Sequence, residues 1–120
     1  MKHFLILLST ILCCVNASSL SANELVSNVK ITSVEELMYT MDTQALVITY
    51  SGEDRRCLSR NEQKITFQAD TVDEVTALNR ISMTALTALE TGTEVQIVGT
   101  ITGNCNSANG IILGSQASGN

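Results

Sequence analysis

The rhythm of apolar positions changes several times along the chain, and each rhythm implies a different element. From Phe4 to Val15 the side chains are almost uniformly apolar, interrupted only by Ser9 and Thr10. Lys2 and His3 precede this run, and the triplets ending at Ala17 and Ala22 come after it. A basic start, a short apolar core and a small-residue exit form the layout of a secretory signal. The run is shorter than the ~20 residues of a membrane-spanning helix. Leu12, where a lipid-anchor site wants a small residue before Cys13, argues against lipidation. The expected organisation is a signal over 1–22, cleaved after Ala17 or Ala22, one domain over 23–115, and a flexible tail over 116–120. The mature protein is then expected to have no membrane span.

Beyond the leader the period is mostly two. Val29 and Ile31 alternate with Lys30 and Thr32, and Val34, Leu37 and Tyr39 extend the series. This predicts a first strand with a bulge near Glu35 and Glu36. After a turn over Met41–Gln44, the run Ala45–Tyr50 reads as a buried second strand, and Lys64–Gln68 as a short third. Between 71 and 92 the period becomes helical. Thr71 and Glu74 form a capping box, Asp73 and Glu74 suit the positive end of the helix dipole, and Gly92 is the stop. The inner face is expected to carry Val75, Leu78, Ser82, Ala85, Leu86 and Leu89, with Ile81 at its edge. Val95–Ile101 and Ile111–Leu113 complete the series as two further strands, separated by a turn-rich segment from Gly103 to Gly110. The fold class is therefore mainly β, a β-barrel with one helix. The order βββ-α-ββ is that of a five-stranded OB-fold.

Composition sharpens this picture in three ways. Loss of the leader removes Lys2, leaving six basic residues against twelve acidic ones, a mature charge of about −6. It removes His3, the only histidine, and Cys13 and Cys14, leaving Cys57 and Cys105. Two cysteines in an exported chain are expected to pair as one disulfide. Without histidine a Ser-His-Asp or Cys-His constellation cannot be built, and two cysteines alone do not make a metal site. Glu35 with Glu36 points to opposite faces of a strand, and Asp73 with Glu74 caps the helix, so neither pair reads as an acid–base couple. An acidic chain with few aromatics also fits nucleic acid poorly. No enzyme activity and no cofactor are expected.

The segment from Ala77 and Leu78 of the helix, through Thr91-Gly92-Thr93 and the strand Val95–Gly99, to Cys105 and Gly110-Ile111-Ile112 resembles the C-terminal half of cell-binding B subunits of A–B bacterial toxins. Subtilase cytotoxin B-like exported proteins are nearer to it than Shiga toxin B subunits. The resemblance covers roughly residues 29–115 and rests on residue classes, not on a rare signature. It implies a pentamer that binds glycans, with its helices around a central pore and a separate catalytic chain. The mature aromatics are only Tyr39, Tyr50 and Phe67. Tyr50 and Phe67 read as core, and no sugar-binding motif can be carried over.

Three exposed features remain as candidates. Arg55, Arg56 and Arg60, near Cys57, could meet a carboxylate on a ligand. Asn104, Asn106 and Asn109 offer amides. Thr76, Arg80, Met83, Thr84 and Thr87 form an outer helix face with few charges, compatible with an oligomer. The expectation is an exported binding module, periplasmic or secreted, that recognises a glycan or a protein. The alternative is a monomeric periplasmic accessory protein of an envelope complex.

Overall fold

A computed structural model of the chain describes residues 23–114. The expected leader over 1–22 and tail over 116–120 lie outside the described residues. The elements are β1 (Glu24–Met38), β2 (Gln44–Ser51), β3 (Leu58–Ser59), β4 (Glu62–Ala69), α1 (Val72–Thr91), β5 (Glu94–Gly99) and β6 (Ala108–Leu113). The five long strands are neighbours in the cyclic order β1-β2-β4-β6-β5 and back to β1, which closes a barrel. All contacts are antiparallel except β4 with β6, which run parallel and share one rung, Phe67 opposite Ala108. With α1 entering after β4 and leaving into β5, this is the OB-fold expected from the order of elements.

Closure depends on β1 serving two partners. Its first half pairs with β5 and its second half with β2, so the strand must turn a corner between them. The turn is made by irregularities, which bend a strand and raise its twist. On the β5 side the register shifts between Val26 and Val29, where Asn28 has φ 57°; on the β2 side it shifts between Ile31 and Ser33. The bulge therefore lies at Thr32 and not near Glu35 and Glu36. The strand also begins earlier than its alternation implied, because the first shifts carry both Leu25 and Val26 inward.

The core gathers Leu25, Val26, Val29, Ile31, Leu46, Ile48, Tyr50, Ile65, Phe67, Val95 and Ile97, all buried. Transfer of such side chains from water supplies the main drive to fold. α1 closes one side through Leu78, Ser82, Ala85 and Ala88. The two alanines let the helix sit close to the barrel. Leu86, expected inside, is 43% exposed, and Ala88 takes the buried place. Ser82 Oγ, the buried polar group of this face, donates to the Glu36 carboxylate and pins α1 to β1.

The helix ends behave as their residues dictate. Thr71 Oγ1 accepts from the Glu74 amide at 3.2 Å, and Glu74 Oε1 accepts from the Asp70 amide at 2.7 Å. At the other end Gly92 adopts φ 70° and donates to Ala88 O. β5 stops at Gly99, two residues short of Ile101, because the chain turns where a side chain has no room. A Cβ on Gly99 would stand 2.7 Å from Ser107 Oγ and 2.8 Å from Ser107 O. Ile101 is consequently 57% exposed in the loop. The turn-rich segment ends sooner than expected, since Asn109 and Gly110 already belong to β6.

Candidate functional site

The outer surface of the barrel can be built row by row from strand register, since alternate residues of a strand share a face. Leu37 lies opposite Ala45, and Ala45 opposite Gln68; Glu35 lies opposite Val47, and Val47 opposite Thr66; Ser33 lies opposite Thr49, and Thr49 opposite Lys64. One step beyond Leu37, Tyr39 donates its amide to Thr43 O at 3.0 Å, and Asp70 comes directly after Ala69, the partner of Gln44. Across β1, β2 and β4 the face thus carries a hydrocarbon middle, Leu37, Ala45 and Val47, between polar flanks. A depression of about 330 Å³ lies there, walled by Tyr39 on one side and by Thr66, Gln68 and Asp70 on the other. Tyr39 is 65% exposed.

A second depression, about 620 Å³, begins on the far side of Gln68 and Asp70. It opens where β4 and β6 diverge after their single rung, between the first turns of α1 and the loop 100–107. Its apolar base includes Phe67, Leu78 and Ile81, and its rim carries Asn104, Asn106 and Asn109. Gln68 and Asp70 line both spaces, so the two depressions form one surface with a saddle at these residues. The side chains of Gln68, Asp70, Asn106 and Asn109 make no hydrogen bond among the described residues. Among the described residues their donors and acceptors are uncommitted.

The loop beside this surface is held from several directions. Ser107 Oγ donates to Asn104 O and accepts from the Ile101 amide, while Asn104 Oδ1 accepts from the Asn106 amide. The Thr66 amide donates to Cys105 O at 2.9 Å. Cys57 and Cys105 form the disulfide, with Cα atoms 5.8 Å apart, so the 100–107 loop is tied covalently to the segment before β3.

The expected site residues separate into two groups. Asn104, Asn106 and Asn109 do come together on one rim. Of these, Asn104 already spends its side-chain oxygen on the turn. The three arginines do not join them, and Arg56 in particular is not open to a ligand carboxylate. Its guanidinium contacts Asp54 at 2.6 Å and Glu24 at 3.1 Å. The Arg56 hydrogen bond, helped by the Ser27 amide, holds the Asp54 carboxyl down at about 2. Arg56 itself is shifted upward by the same bond to Asp54. Arg60 and Asn61 form the two-residue turn of a small hairpin, with φ 52° and 68°, pairing Ser59 with Glu62 and Leu58 with Gln63. Arg55 and Arg60 are exposed and line neither depression. Tyr50, buried as expected, has its phenol shifted upward by desolvation, and its hydroxyl donates to Asp54 O.

On α1, Thr76, Thr84 and Thr87 each donate their hydroxyl to the carbonyl four residues earlier. Such back-bonding commits the hydroxyls to the helix's own carbonyls. With Met83 70% exposed and Val72 63% exposed, this face is more apolar than its letters indicate; Arg80 is its one charge among 72, 76, 80, 83, 84 and 87. Tyr39, Gln68 and Asp70 are the residues that sequence reasoning passed over. Tyr39 continues the apolar series of Val29 and Ile31 and faces outward only because the bulge at Thr32 flips the parity of β1, and only register joins it to Gln68 and Asp70.

No helix among the described residues is long and apolar enough to cross a membrane, and none of their His, Cys, Asp and Glu side chains form a group of three able to hold a metal. A model of a family of unknown function, DUF5992, matches residues 5–115. No curated protein and no solved structure matches the chain.

Proposed function

The chain belongs to the DUF5992 family of unknown function, and we propose that it is an exported, non-catalytic binding domain that holds a glycan or a protein on the outer face of β2 and β4. The observation that carries this reading is the joined pair of depressions. They place one exposed aromatic ring, a hydrocarbon floor and four uncommitted polar side chains on a single surface. Ligand sites of this kind combine apolar contact area with a few well-placed polar groups. The strand pair involved is also the one on which OB-folds commonly bind oligosaccharides and oligonucleotides. The chain's net charge of −5 disfavours the latter. A disulfide fits an oxidising compartment, which supports export.

The test is retention of the mature, oxidised protein on glycan and peptide arrays, repeated with four single variants. Tyr39→Ala and Asn109→Ala are expected to weaken any retained ligand by about tenfold each, equivalent to about 1.4 kcal/mol. Arg55→Ala and Arg60→Ala should leave it unchanged. Retention that survives the first two and is lost with the second two would place binding elsewhere.

A second reading, an accessory subunit or a self-assembling one, draws on the methyl-rich outer face of α1. Light scattering over a range of concentrations separates them. A stable pentamer supports the oligomer that the toxin-like pattern implies, and a clean monomer supports the accessory role.

A further inference from the structure

The smaller depression has a chemical bias that a generic polar groove lacks. Its floor, Leu37, Ala45 and Val47, is hydrocarbon and runs along the strands for two residues, about 7 Å. At one end of that floor stand Tyr39, just past β1, and Asp70, just past β4, with Thr43, just before β2, also in the lining. At the adjoining row, Leu37–Ala45–Gln68, the two outer strands stand two strand spacings of about 4.8 Å apart, about 10 Å in all. A cationic group seated in this depression has both an aromatic ring and a carboxylate in its lining, and a ring face attracts a cation within about 6 Å. Asp70 keeps both carboxylate oxygens free of hydrogen bonds among the described residues. Neither depression has a lysine or arginine in its lining. Lys64, on β4 in the same face, is three rows from Asp70 and paired with Glu62 at 3.1 Å.

We infer that this depression receives an alkylammonium group, the lysine side chain of a protein partner. The stem lies on Leu37, Ala45 and Val47, and the ammonium sits between the Tyr39 ring and the Asp70 carboxylate. Thr43, in the same lining, adds a hydroxyl acceptor. The saddle residue Gln68 then faces the partner's adjoining backbone, whose amides it can both donate to and accept from. Charge complementarity decides the sign. An acidic chain with an unpaired carboxylate in its groove repels carboxylate-bearing ligands and attracts basic ones. The inference rests on the binding reading above and chooses protein over glycan within it.

The experiment is an NMR titration of the 15N-labelled mature, oxidised protein with three probes: Nα-acetyl-lysine methylamide, its uncharged isostere Nα-acetyl-norleucine methylamide, and tri-N-acetylchitotriose. The lysine probe should shift the amide signals of Tyr39, Thr43, Gln68 and Asp70, and bind about fivefold more tightly than the norleucine probe. Asp70→Asn should remove that difference, and Tyr39→Leu should weaken the lysine probe by about fivefold. Both sites are exposed, and the dispersion of each variant's spectrum reports its fold. Equal affinity for lysine and norleucine, or a preference that survives Asp70→Asn, overturns the inference. Shifts at these residues from chitotriose without any from lysine overturn it alone and leave the binding surface standing. Silence from all three probes overturns the inference, while the binding surface stands or falls with the array experiment.

Discussion

Asp54 concentrates several contacts in one side chain. Its carboxylate accepts from the Ser27 amide at 2.9 Å and from Arg56, while its carbonyl accepts from Tyr50 Oη and from Gln63 Nε2. One residue thus joins β1, the end of β2 and the start of β4. The carboxyl, held at about 2 in the fold against an ordinary 3.8, contributes stability that is present above about pH 4. That contribution is lost as the pH falls through the folded value, because the unfolded chain then binds the extra proton. With Arg56 53% exposed, solvent screening reduces its size to about 1–2 kcal/mol. Asp54→Asn should lower stability by that amount at pH 7 and by much less at pH 2, read from urea unfolding at the two pH values. A difference of equal size at both would remove the ion pair as its cause. The charge cluster itself was legible at residues 53–56, which hold Asp54, the closer partner of Arg56; the second partner, Glu24, lies thirty-two positions away and is brought in only by the fold.

At the scale of elements, α1 and β1 contrast in how much of their form is local. The ends of α1 are set by neighbours in sequence, Thr71 with Glu74 and Gly92 with Ala88, so both could be read in advance. Thr71→Ala removes an N-cap acceptor and should cost about 1 kcal/mol. In a domain of this size that lowers the melting temperature by about 4–8 °C, measurable by circular dichroism. A shift under a degree would mean that packing through Leu78 and Ala85 fixes the helix without its cap. β1 was less legible because its shape answers to two partners. The corner at Thr32 exists since β5 and β2 pair with different halves of the strand, and nothing in the residues 29–39 alone names those partners. The hairpin at Arg60 and Asn61 was hidden for a related reason, its two-residue arms being too short to show alternation.

For the whole molecule, the order of elements implied the barrel, whereas the site required its register. Tyr39, Ala45 and Asp70 meet only because β2 sits between β1 and β4 at one particular offset. The disulfide is a covalent constraint on another seam of the barrel, where β4 meets β6. It closes 48 positions of chain, and the loop-entropy model assigns such a closure about 4 kcal/mol. Cys57→Ser with Cys105→Ser should therefore shift the denaturant midpoint downward by an amount equivalent to about 2–4 kcal/mol, with the slope changed as well if the unfolded chain expands. An unchanged midpoint would mean that the single Phe67–Ala108 rung and the Ser107 loop already hold the seam. The position of the bridge also has a mechanical meaning. β3, β4, α1 and β5 all lie between the two cysteines, so when the two ends of the domain are pulled the covalent path runs across the sulfur atoms and these elements cannot be drawn out along the chain. About 160 Å of chain is withheld from extension in this way. A partner that tugs on the domain can peel β1, β2 and β6, while the helix and the two strands it connects stay looped behind the bridge, loaded only through the ladders they share with the peeled strands.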